Sequence, residues 1–416
     1  MTNSTATNDL SPSDDIEAKI TEDHDLDLPA VAPGEVLLEV RDLDTTFSSP
    51  RGKVRAVRGV DIELRRGRTL GIVGESGSGK SVLSRSIMGL MPSNATREGS
   101  VRFAGEEILN APPKKMRGFW GDQMAMIFQD PMTALNPVLR IEQQITESLN
   151  EHIDLSKSQA HDTALKLLEQ VGIPEPERRL RMYPHEMSGG MRQRIMIAIA
   201  VACGPKLLFA DEPTTALDVT VQAQILDLLQ EMQSDRQMAM ILVTHDLGVV
   251  AGRAHDIAVM YAGRIVEQAP AAELFGHVRH PYTEALLRSI PKLEMASHTR
   301  LDAIGGRPPD LTNLPPGCKF EPRCPYAQDL CRQEDPALTT GPDVPDDHTF
   351  ACHFPVSGVG VDLAAPGTTA ADAITSQSAE ASGSGTETAT HTAGTGATRA
   401  GATTSSSKGS GPGAEV

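Results

Sequence analysis

The stretch from Thr69 to Ser81 reads TLGIVGESGSGKS, and it decides the fold class. The apolar run Thr69 to Val73 predicts a β-strand that leads into a loop with the spacing G-x-x-x-x-G-K-S. Glycines allow backbone N–H groups in such a loop to turn towards phosphate oxygens, and SVLSRSIMGLM predicts a following helix whose N-terminus faces the phosphates. The pattern therefore predicts a phosphate-binding P-loop, formed by Gly74, Glu75, Ser76, Gly77, Ser78, Gly79, Lys80 and Ser81.

Within this loop the last two residues have separate expected roles. Lys80 is expected to reach the β- and γ-phosphates of a nucleotide, and the Ser81 hydroxyl is expected to bind Mg²⁺.

The rest of the chain predicts an α/β protein. Apolar strands alternate with helical patterns, which is typical of a parallel-sheet core. Strand patterns before the P-loop, such as VLLEVRDL from Val36, predict an antiparallel layer beside that core, and TTFSSPRGKV between them predicts a loop. Residues 138–182 have helical periodicity and predict a helical subdomain.

Composition limits the partners of the protein. The chain has 416 residues, 39% of them hydrophobic, and a net charge of −17. Residues 1–34 carry −7 and residues 356–416 carry −3, which leaves −7 for the middle. An acidic chain lacks the basic footprint of a nucleic-acid-binding protein, so no nucleic-acid partner is expected.

Targeting and membrane signals are missing from the pattern. No apolar run approaches the roughly 18 residues of a membrane span. The polar, acidic N-terminus does not resemble a signal peptide. We expect a cytoplasmic protein that reaches a membrane only through partners.

A second motif, Leu207 to Glu212 (LLFADE), completes the predicted nucleotide site. An apolar strand places Asp211 at its carboxyl end, where a carboxylate can hold Mg²⁺ through water. Glu212 follows at once and is suited to act as general base on the attacking water.

A third motif, MSGGMRQR, places Ser188, Gly189 and Gly190 at the predicted start of a helix. A hydroxyl and two glycines at a helix N-terminus can bind an anion. Alone, the same residues also fit a simple helix cap by Ser188.

Together, these motifs resemble the nucleotide-binding subunit of an ATP-binding cassette (ABC) transporter over about residues 36–290. In family order, GESGSGKS resembles Walker A, FQDP the Q-loop, MSGGM the signature, LLFADE Walker B, TTALD the D-loop and VTHD the switch. Met187 and Met191 stand where the commonest signature has Leu and Gln. The resemblance implies functional residues, namely Gln129 as γ-phosphate and Mg²⁺ sensor, His245 as switch histidine, Asp218 in the D-loop and Phe47 stacked on adenine.

The resemblance also implies a head-to-tail dimer of cassettes. Each ATP would lie between one P-loop and the partner's signature, so Ser188, Gly189 and Gly190 would serve the partner's ATP. One P-loop per chain means that another chain must supply the second cassette. The resemblance implies a heterodimer of two ATPase subunits, with a homodimer as the alternative.

Three further stretches are similar to the oligopeptide/dipeptide permease branch, which includes nickel importers. They are QDPMTALNPVLRI (129–141), HPYTEALLRSIP (280–291) and the proline- and cysteine-rich segment that follows. The resemblance implies a bacterial importer ATPase at the cytoplasmic face of the membrane. Its expected partners are two permease subunits and an extracytoplasmic solute-binding protein.

Three alternatives stay open from the sequence, and one of them, a regulatory or iron–sulfur-sensing role for residues 296–355, can coexist with transport. Nickel or another small solute could replace peptide, because the ATPase does not select the cargo. A soluble ABC ATPase of nucleic-acid repair or the ribosome is disfavoured by the acidic charge and the single cassette.

Four cysteines near the C-terminus form a second candidate site. Cys318, Cys324, Cys331 and Cys352 have the spacing C-x5-C-x6-C-x20-C. A reducing cytosol disfavours disulfides, and zinc prefers tighter pairs, so the loose spacing favours an iron–sulfur cluster. The permease branch often carries a 4Fe–4S centre here, while zinc and free thiols remain alternatives. Cys203, outside this group, is interpreted as a buried apolar residue.

Four segments are predicted from these patterns. Residues 1–34 form a disordered acidic tail and residues 356–416 a disordered Ala/Gly/Ser/Thr-rich tail. Between them lie the ATP-binding cassette, residues 35–295, and the cysteine-rich extension, residues 296–355.

Overall fold

A computed structural model describes residues 30–50, 52–215, 217–290 and 304–357. The predictions for residues 1–29, 291–303 and 358–416, including the predicted end of the cassette at residue 295, lie outside these residues. So does Ala216 in the predicted D-loop.

Eleven strands lie in the described residues: β1 Val36–Ser49, β2 Gly52–Arg65, β3 Thr69–Val73, β4 Ala95–Phe103, β5 Glu106–Glu107, β6 Met124–Ile127, β7 Leu207–Asp211, β8 Ala239–Thr244, β9 Asp256–Tyr261, β10 Arg264–Pro270 and β11 Thr349–Phe350. The α-helices there are α1 Lys80–Met88, α2 Pro113–Phe119, α3 Pro131–Ala134, α4 Ile141–His152, α5 Lys157–Gln170, α6 Pro176–Leu180, α7 Gly189–Val201, α8 Val219–Arg236, α9 Leu247–Val250, α10 Ala271–Gly276, α11 Pro281–Arg288 and α12 Asp329–Gln333.

The main sheet has seven strands in the order β11-β10-β9-β3-β8-β7-β6. Strands β9, β3, β8, β7 and β6 run parallel, whereas β10 and β11 add an antiparallel edge. The P-loop strand β3 lies inside the parallel part, between β9 and β8. This arrangement confirms the predicted α/β fold with a parallel core.

Both faces of this sheet are buried, which explains why its strands are continuously apolar. In β8, Ile241 and Val243 join one hydrophobic cluster, while Met240 and Leu242 join the other. Side chains alternate across a strand, so one face packs on helices such as α7 and α8, and the other packs on α1 and the antiparallel layer.

The antiparallel layer has the strand order β2-β1-β4-β5. Its extent differs from the sequence prediction, because β1 continues through the predicted loop as far as Ser49. Phe47 pairs with Val54 of β2 and with Ala95 of β4, so two neighbouring strands hold the segment extended. Register shifts between Val40 and Thr46 accommodate the polar residues that obscured this strand in the sequence.

Residues 304–357 have little regular structure but pack directly on the cassette. Strand β11 pairs with β10, with Phe350 opposite Glu267. Phe320 is 2% exposed and belongs to the same hydrophobic cluster as the helical side of the sheet. The segment therefore shares the cassette's core.

A buried polar network reinforces this junction. The Glu267 carboxylate accepts hydrogen bonds from the backbone N–H groups of Arg279 (2.6 Å) and His280 (3.0 Å), and it lies 3.0 Å from His348 Nε2. Glu267 and His348 are fully buried, so their polar atoms need partners within the protein, and these contacts supply them.

Among the helices of the described residues, none combines the length and the apolar character that crossing a membrane requires.

Candidate nucleotide-binding site

The site lies at one edge of the parallel sheet, where four strands end side by side. Val73 pairs with Thr244, Asp211 with Val243, and Ile127 with Ala210, so these strands finish in register. The chain segments that leave them carry the P-loop, Gln129, Glu212 and His245. Ligands commonly bind at the carboxyl ends of strands in open α/β sheets.

Glycine is required at two positions of the P-loop. A Cβ on Gly74 would lie 2.2 Å from the Met260 carbonyl oxygen, and a Cβ on Gly79 would lie 2.4 Å from that of Ala56. Gly79 also has φ of 106°, in the left-handed region, and caps α1. The turn from β3 into α1 can therefore be made only by a chain without these side chains.

Lys80 lies folded under the loop. Its Nζ donates to the carbonyl oxygens of Gly74 (2.7 Å) and Glu75 (3.0 Å) and is 4.0 Å from Glu212 Oε1. Burial lowers the pKa of Lys80, and the nearby carboxylates of Glu212, Asp211 and Glu75 oppose this effect. The ammonium is thus held at the centre of the loop.

Asp211 and Ser81 form a pair suited to a magnesium ion. The Ser81 hydroxyl donates to Asp211 Oδ1 at 2.8 Å. Asp211 Oδ2 is buried and has no hydrogen-bond partner within the described structure. Burial raises the pKa of Asp211, partly offset by Ser81. A cation held through water would satisfy this oxygen and keep the carboxylate charged, so the residues fit Mg²⁺.

Glu212 contacts the other two predicted catalytic residues, Gln129 and His245. Its Oε2 accepts from Gln129 Nε2 (3.1 Å) and Thr215 Oγ1 (2.9 Å) and lies 3.4 Å from His245 Nδ1. Its φ of 47° lies in the left-handed region and is rare for a residue other than glycine. The structure therefore brings together Gln129, Glu212 and His245, the three residues for which catalytic roles are expected from the sequence.

These residues border one open cavity. Glu75 and Ser76 of the P-loop line it together with Gln129, Glu212 and His245. Ile304 and Pro308, from the cysteine-rich extension, complete its wall. A carboxylate beside the phosphate-binding loop, backed by an amide and an imidazole, can activate water for attack on a phosphate.

Other predicted site residues lie elsewhere. Ser188 is exposed, and its Oγ caps α7 by accepting from Met191 N, while Gly189 and Gly190 form the first turn. Asp218 is exposed and caps α8 by accepting from Val221 N at 2.9 Å. Phe47 is half-buried in β1. None of these residues is among those that line the cavity.

Three contacts at the site involve residues that the sequence analysis did not single out. Thr215 holds Glu212, Tyr282 Oη accepts from Glu75 N at 2.8 Å, and Arg323 binds the Glu75 carboxylate. Only Thr215 had a local signal, since it closely follows Walker B. Tyr282 and Arg323 come from distant segments.

The four cysteines of the extension line a single pocket. Cys318, Cys324, Cys331 and Cys352 border it together with His280 and Phe320, and all four are free thiols. Burial raises the pKa of Cys324 to about 11 and that of Cys352 to about 12, and the neighbouring cysteines add to both shifts. Within the described ranges, no three potential ligand side chains are grouped closely enough to hold a metal ion.

Cys203 is buried near Ser148, as predicted for a small apolar residue. Burial raises its pKa to about 11, which disfavours the reactive thiolate form.

The P-loop, the acidic end of β7, the flanking Gln129 and His245, and the two sheets together define a P-loop NTPase of the ABC type. Comparisons with known proteins agree. The ABC transporter family model matches residues 57–215, and the family model of the oligopeptide/dipeptide transporter C-terminal region matches residues 266–331.

Curated relatives are similar over nearly their whole length. The oligopeptide transport ATP-binding protein OppD of Salmonella typhimurium is 50% identical over 327 residues, which cover 79% of this chain and 96% of that protein. The dipeptide transport ATP-binding protein DppD of Escherichia coli is 48% identical, covering 78% of this chain and 98% of that protein.

Among solved structures, the ATP-binding cassette MJ0796, a dimer bound to ADP and Pi, is similar with a TM-score of 0.52 and 25% identity. The match covers 56% of this chain and 99% of that one. The chain belongs to the ABC transporter family, in the branch of oligopeptide/dipeptide ATP-binding proteins. It is therefore an ATP-binding protein and an ATPase.

Proposed function

We propose that this chain couples ATP hydrolysis to the uptake of oligopeptides or dipeptides through partner membrane subunits. The observation that carries the catalytic half is the set of contacts of Glu212 with Gln129, Thr215 and His245 beside Lys80. The peptide half is supported by the names of the relatives and by the match of residues 266–331 to a peptide-transporter region.

In this proposal, Glu212 acts as general base on the water that attacks the γ-phosphate. Gln129 and His245 hold its carboxylate and sense the γ-phosphate. Lys80 and the loop N–H groups bind the phosphates, whereas Ser81 and Asp211 hold Mg²⁺, with Gln129 as a further ligand. General-base catalysis contributes about 10²–10⁴ in rate.

The complete site requires a second cassette. Ser188, Gly189 and Gly190 lie outside the cavity lined by Glu75 and Glu212, and Ser188 and Gly189 are exposed, as expected if they contact a partner's ATP. The similar cassette MJ0796 is dimeric with ADP and Pi. We assign Asp218 to this interface and Phe47 to the adenine, and we expect the partner to be a different ATPase subunit.

The remaining partners follow from transport. Two permease subunits would form the pathway, a solute-binding protein would deliver the peptide, and the chain would lie at the cytoplasmic face of the membrane. The relatives are named as transport proteins for oligopeptides and dipeptides, which supports this placement.

The experiment is an affinity purification of tagged Glu212→Gln from detergent-solubilised membranes with Mg-ATP, followed by mass spectrometry. We expect two multi-span permeases and a second cassette, because a chain that binds but does not hydrolyse ATP should hold the closed dimer. Recovery of ribosomal or DNA-repair proteins without a membrane partner would refute the proposal.

A matched control separates specific partners from background. Lys80→Ala combined with Glu212→Gln should lose the ATP-dependent second cassette, since Lys80 is needed for the phosphates. The genes of the recovered partners are then expressed together with this chain, and the uptake of peptides and of nickel is measured in the same cells. Nickel uptake without peptide uptake would mean that the transported solute is nickel and not a peptide.

The cysteine pocket extends this proposal to a 4Fe–4S cluster bound by Cys318, Cys324, Cys331 and Cys352. Four thiolates are the ligand set of such a cluster, and the four thiols line one pocket. The residues fit in kind and number, although the thiols must approach one another to ligate. When bound, a cluster would supply a one-electron centre. Phe320 and Pro336, which also line the pocket, would shield it from solvent.

Metal analysis after anaerobic purification tests this extension. About four irons with matching sulfide per chain are expected, lost in Cys331→Ser and retained in the control Cys203→Ser. One zinc per chain, or no metal, would contradict the cluster.

A further inference from the structure

Glu75 is an acidic residue in a loop that binds anions. It is the second residue of the P-loop, and its carbonyl oxygen accepts from Lys80 Nζ. It borders the cavity that Glu212 and His245 also line. An unpaired carboxylate at this position would repel the triphosphate that the loop has to bind.

Arg323 pairs with this carboxylate from the far end of the chain. Its guanidinium donates to Glu75 Oε2 at 2.6 Å and to Oε1 at 2.9 Å, across 248 residues of sequence. The Arg323 side chain is only 4% exposed, and that of Glu75 is 25% exposed. A forked, shielded pair of this kind fixes the orientation of both groups as well as their charge.

The guanidinium is itself held in place. Arg323 Nε donates to the Gly305 carbonyl oxygen at 2.8 Å, and one terminal nitrogen donates to Tyr261 Oη at 3.3 Å. Its charge lies 5.9 Å above the rings of Tyr261 and Phe320. These contacts hold Arg323 in position independently of its ion pair with Glu75.

The backbone of Glu75 is also held by a hydrogen bond. Tyr282 is fully buried, and its hydroxyl accepts from Glu75 N. The Tyr282 ring packs against those of Tyr261 (4.6 Å between centroids) and Phe320 (5.4 Å). Tyr282 and Arg323, which both bind Glu75, therefore contact the same two aromatic rings, those of Tyr261 and Phe320.

We propose that Arg323 is a positioning residue of the ATP site, which neutralises Glu75 and fixes it so that the P-loop can receive the triphosphate. On this view the cysteine-rich extension completes the nucleotide site of its own chain. The inference rests on ATP binding by the P-loop, which family membership establishes, and not on the identity of the transported solute or of any metal.

The test compares Mg-ATP affinity among full-length variants in a Glu212→Gln background. Arg323→Met keeps a stem that can pack on Tyr261 and Phe320 but leaves Glu75 unpaired. We expect its Mg-ATP affinity to fall about ten- to a hundredfold. Removing both charges in Glu75→Gln/Arg323→Met should return the affinity to within about threefold of the parent, because no carboxylate remains to be neutralised.

Steady-state kinetics in chains that retain Glu212 provide a second readout. Arg323→Met should raise KM for ATP while kcat at saturating ATP stays within about threefold. Arg323→Lys, which keeps the charge but loses the fork, should fall between the parent and Arg323→Met.

The matched control is Arg332→Met in the same extension. Arg332 pairs with Glu321 (3.0 Å) and Asp329 (2.5 Å), and its side chain is 57% exposed. Since neither partner belongs to the P-loop, its ATP affinity should stay within about twofold of the parent.

Two results would overturn the proposal. One is unchanged ATP affinity in Arg323→Met, and the other is a double variant as weak as Arg323→Met, which would make Arg323 a structural anchor only. If Arg323→Met does not fold, the comparison of Glu75→Gln with the double variant decides. Equal affinities support the proposal, and a further loss of about fivefold or more refutes it.

Discussion

The phosphate-binding loop and the cysteine-rich extension meet at one ion pair but are held in place by different kinds of contact. Gly74 to Gly79 connect β3 directly to α1, and neighbouring backbone atoms dictate the shape of this connection. The extension has few regular elements, and separate side chains such as Phe320 and His348 attach it to the cassette.

This difference separates two ways of building a site. The loop carries its chemistry in consecutive residues, so its function follows from local geometry. The extension acts on the same site only through contacts such as that of Arg323 with Glu75, which depend on the whole cassette being folded. Damage to the loop should therefore affect chemistry at constant stability, whereas damage to the extension should affect stability and nucleotide affinity together.

The largest expected effect is on the chemical step. Glu212→Gln removes the charge that the attacking water needs but keeps an oxygen for Thr215 and Gln129. We expect kcat for ATP hydrolysis to fall about 10²–10⁴-fold with ATP affinity retained. Single-turnover hydrolysis and equilibrium ATP binding measure the two quantities.

Asp227→Asn is the control for this loss. Asp227 of α8 forms a surface pair with Arg253 and is not among the residues that line the cavity of Glu212. Its kcat should stay within about twofold of the wild type. A Glu212→Gln chain with near-normal turnover would remove Glu212 from the chemistry and leave another base to be found.

Much of the nucleotide site was predictable because its parts are local or lie at strand ends. The P-loop and the pair Asp211 and Glu212 are contiguous in sequence. Gln129 and His245 follow β6 and β8, and parallel strands bring their carboxyl ends to one edge. The sheet therefore converts separate motifs into a single cavity.

The contacts of Glu75 were not predictable in the same way. Arg323 and Tyr282 lie more than 200 residues away from Glu75, and no local pattern marks either as its partner. The extent of β1 was missed for a related reason, since its polar end is held extended by pairing with β2 and β4. Ser188 and Asp218 are a further case, because each caps a helix and a capping residue fits both a local structural role and a role at an interface. The sequence alone does not separate the two roles.

A core substitution in the extension tests its mode of attachment. Phe320 contacts Tyr261 and Tyr282 and also lines the cysteine pocket. Phe320→Ala should lower the free energy of unfolding by about 3–5 kcal/mol, because a fully buried ring is replaced by a cavity. Denaturant unfolding measures the loss, and KM for ATP should rise in the fraction that stays folded.

Leu330→Ala serves as the surface control, since Leu330 is 39% exposed in the same extension. It should cost less than about 1 kcal/mol. Equal losses at the two positions would contradict a specific role for the aromatic cluster and would make the extension a loosely attached segment.

The junction of the two regions should respond to acid through His280. Burial lowers the pKa of His280 to about 4, with Glu267 opposing the shift. The unfolded chain has an imidazole pKa of about 6.5, so below that value it binds a proton that the folded chain rejects. Stability is therefore lost as the pH falls from 6.5 towards 4, and pH changes above 6.5 have no effect through this group. At about pH 5 the loss should be about 2 kcal/mol.

His280→Asn isolates this contribution, because an asparagine oxygen can replace Nδ1 as acceptor for Tyr282 N. Urea unfolding at about pH 7.5 and about pH 5 should give a pH-dependent loss that is smaller by about 2 kcal/mol in the variant than in the wild type. Thr283→Ala, at an equally buried position on the helix that His280 caps, carries no titrating group and should change stability by the same amount at both pH values. An unaltered pH dependence in His280→Asn would mean that the imidazole binds a proton as readily in the folded chain as in the unfolded chain, with Glu267 offsetting the cost of burying the charge.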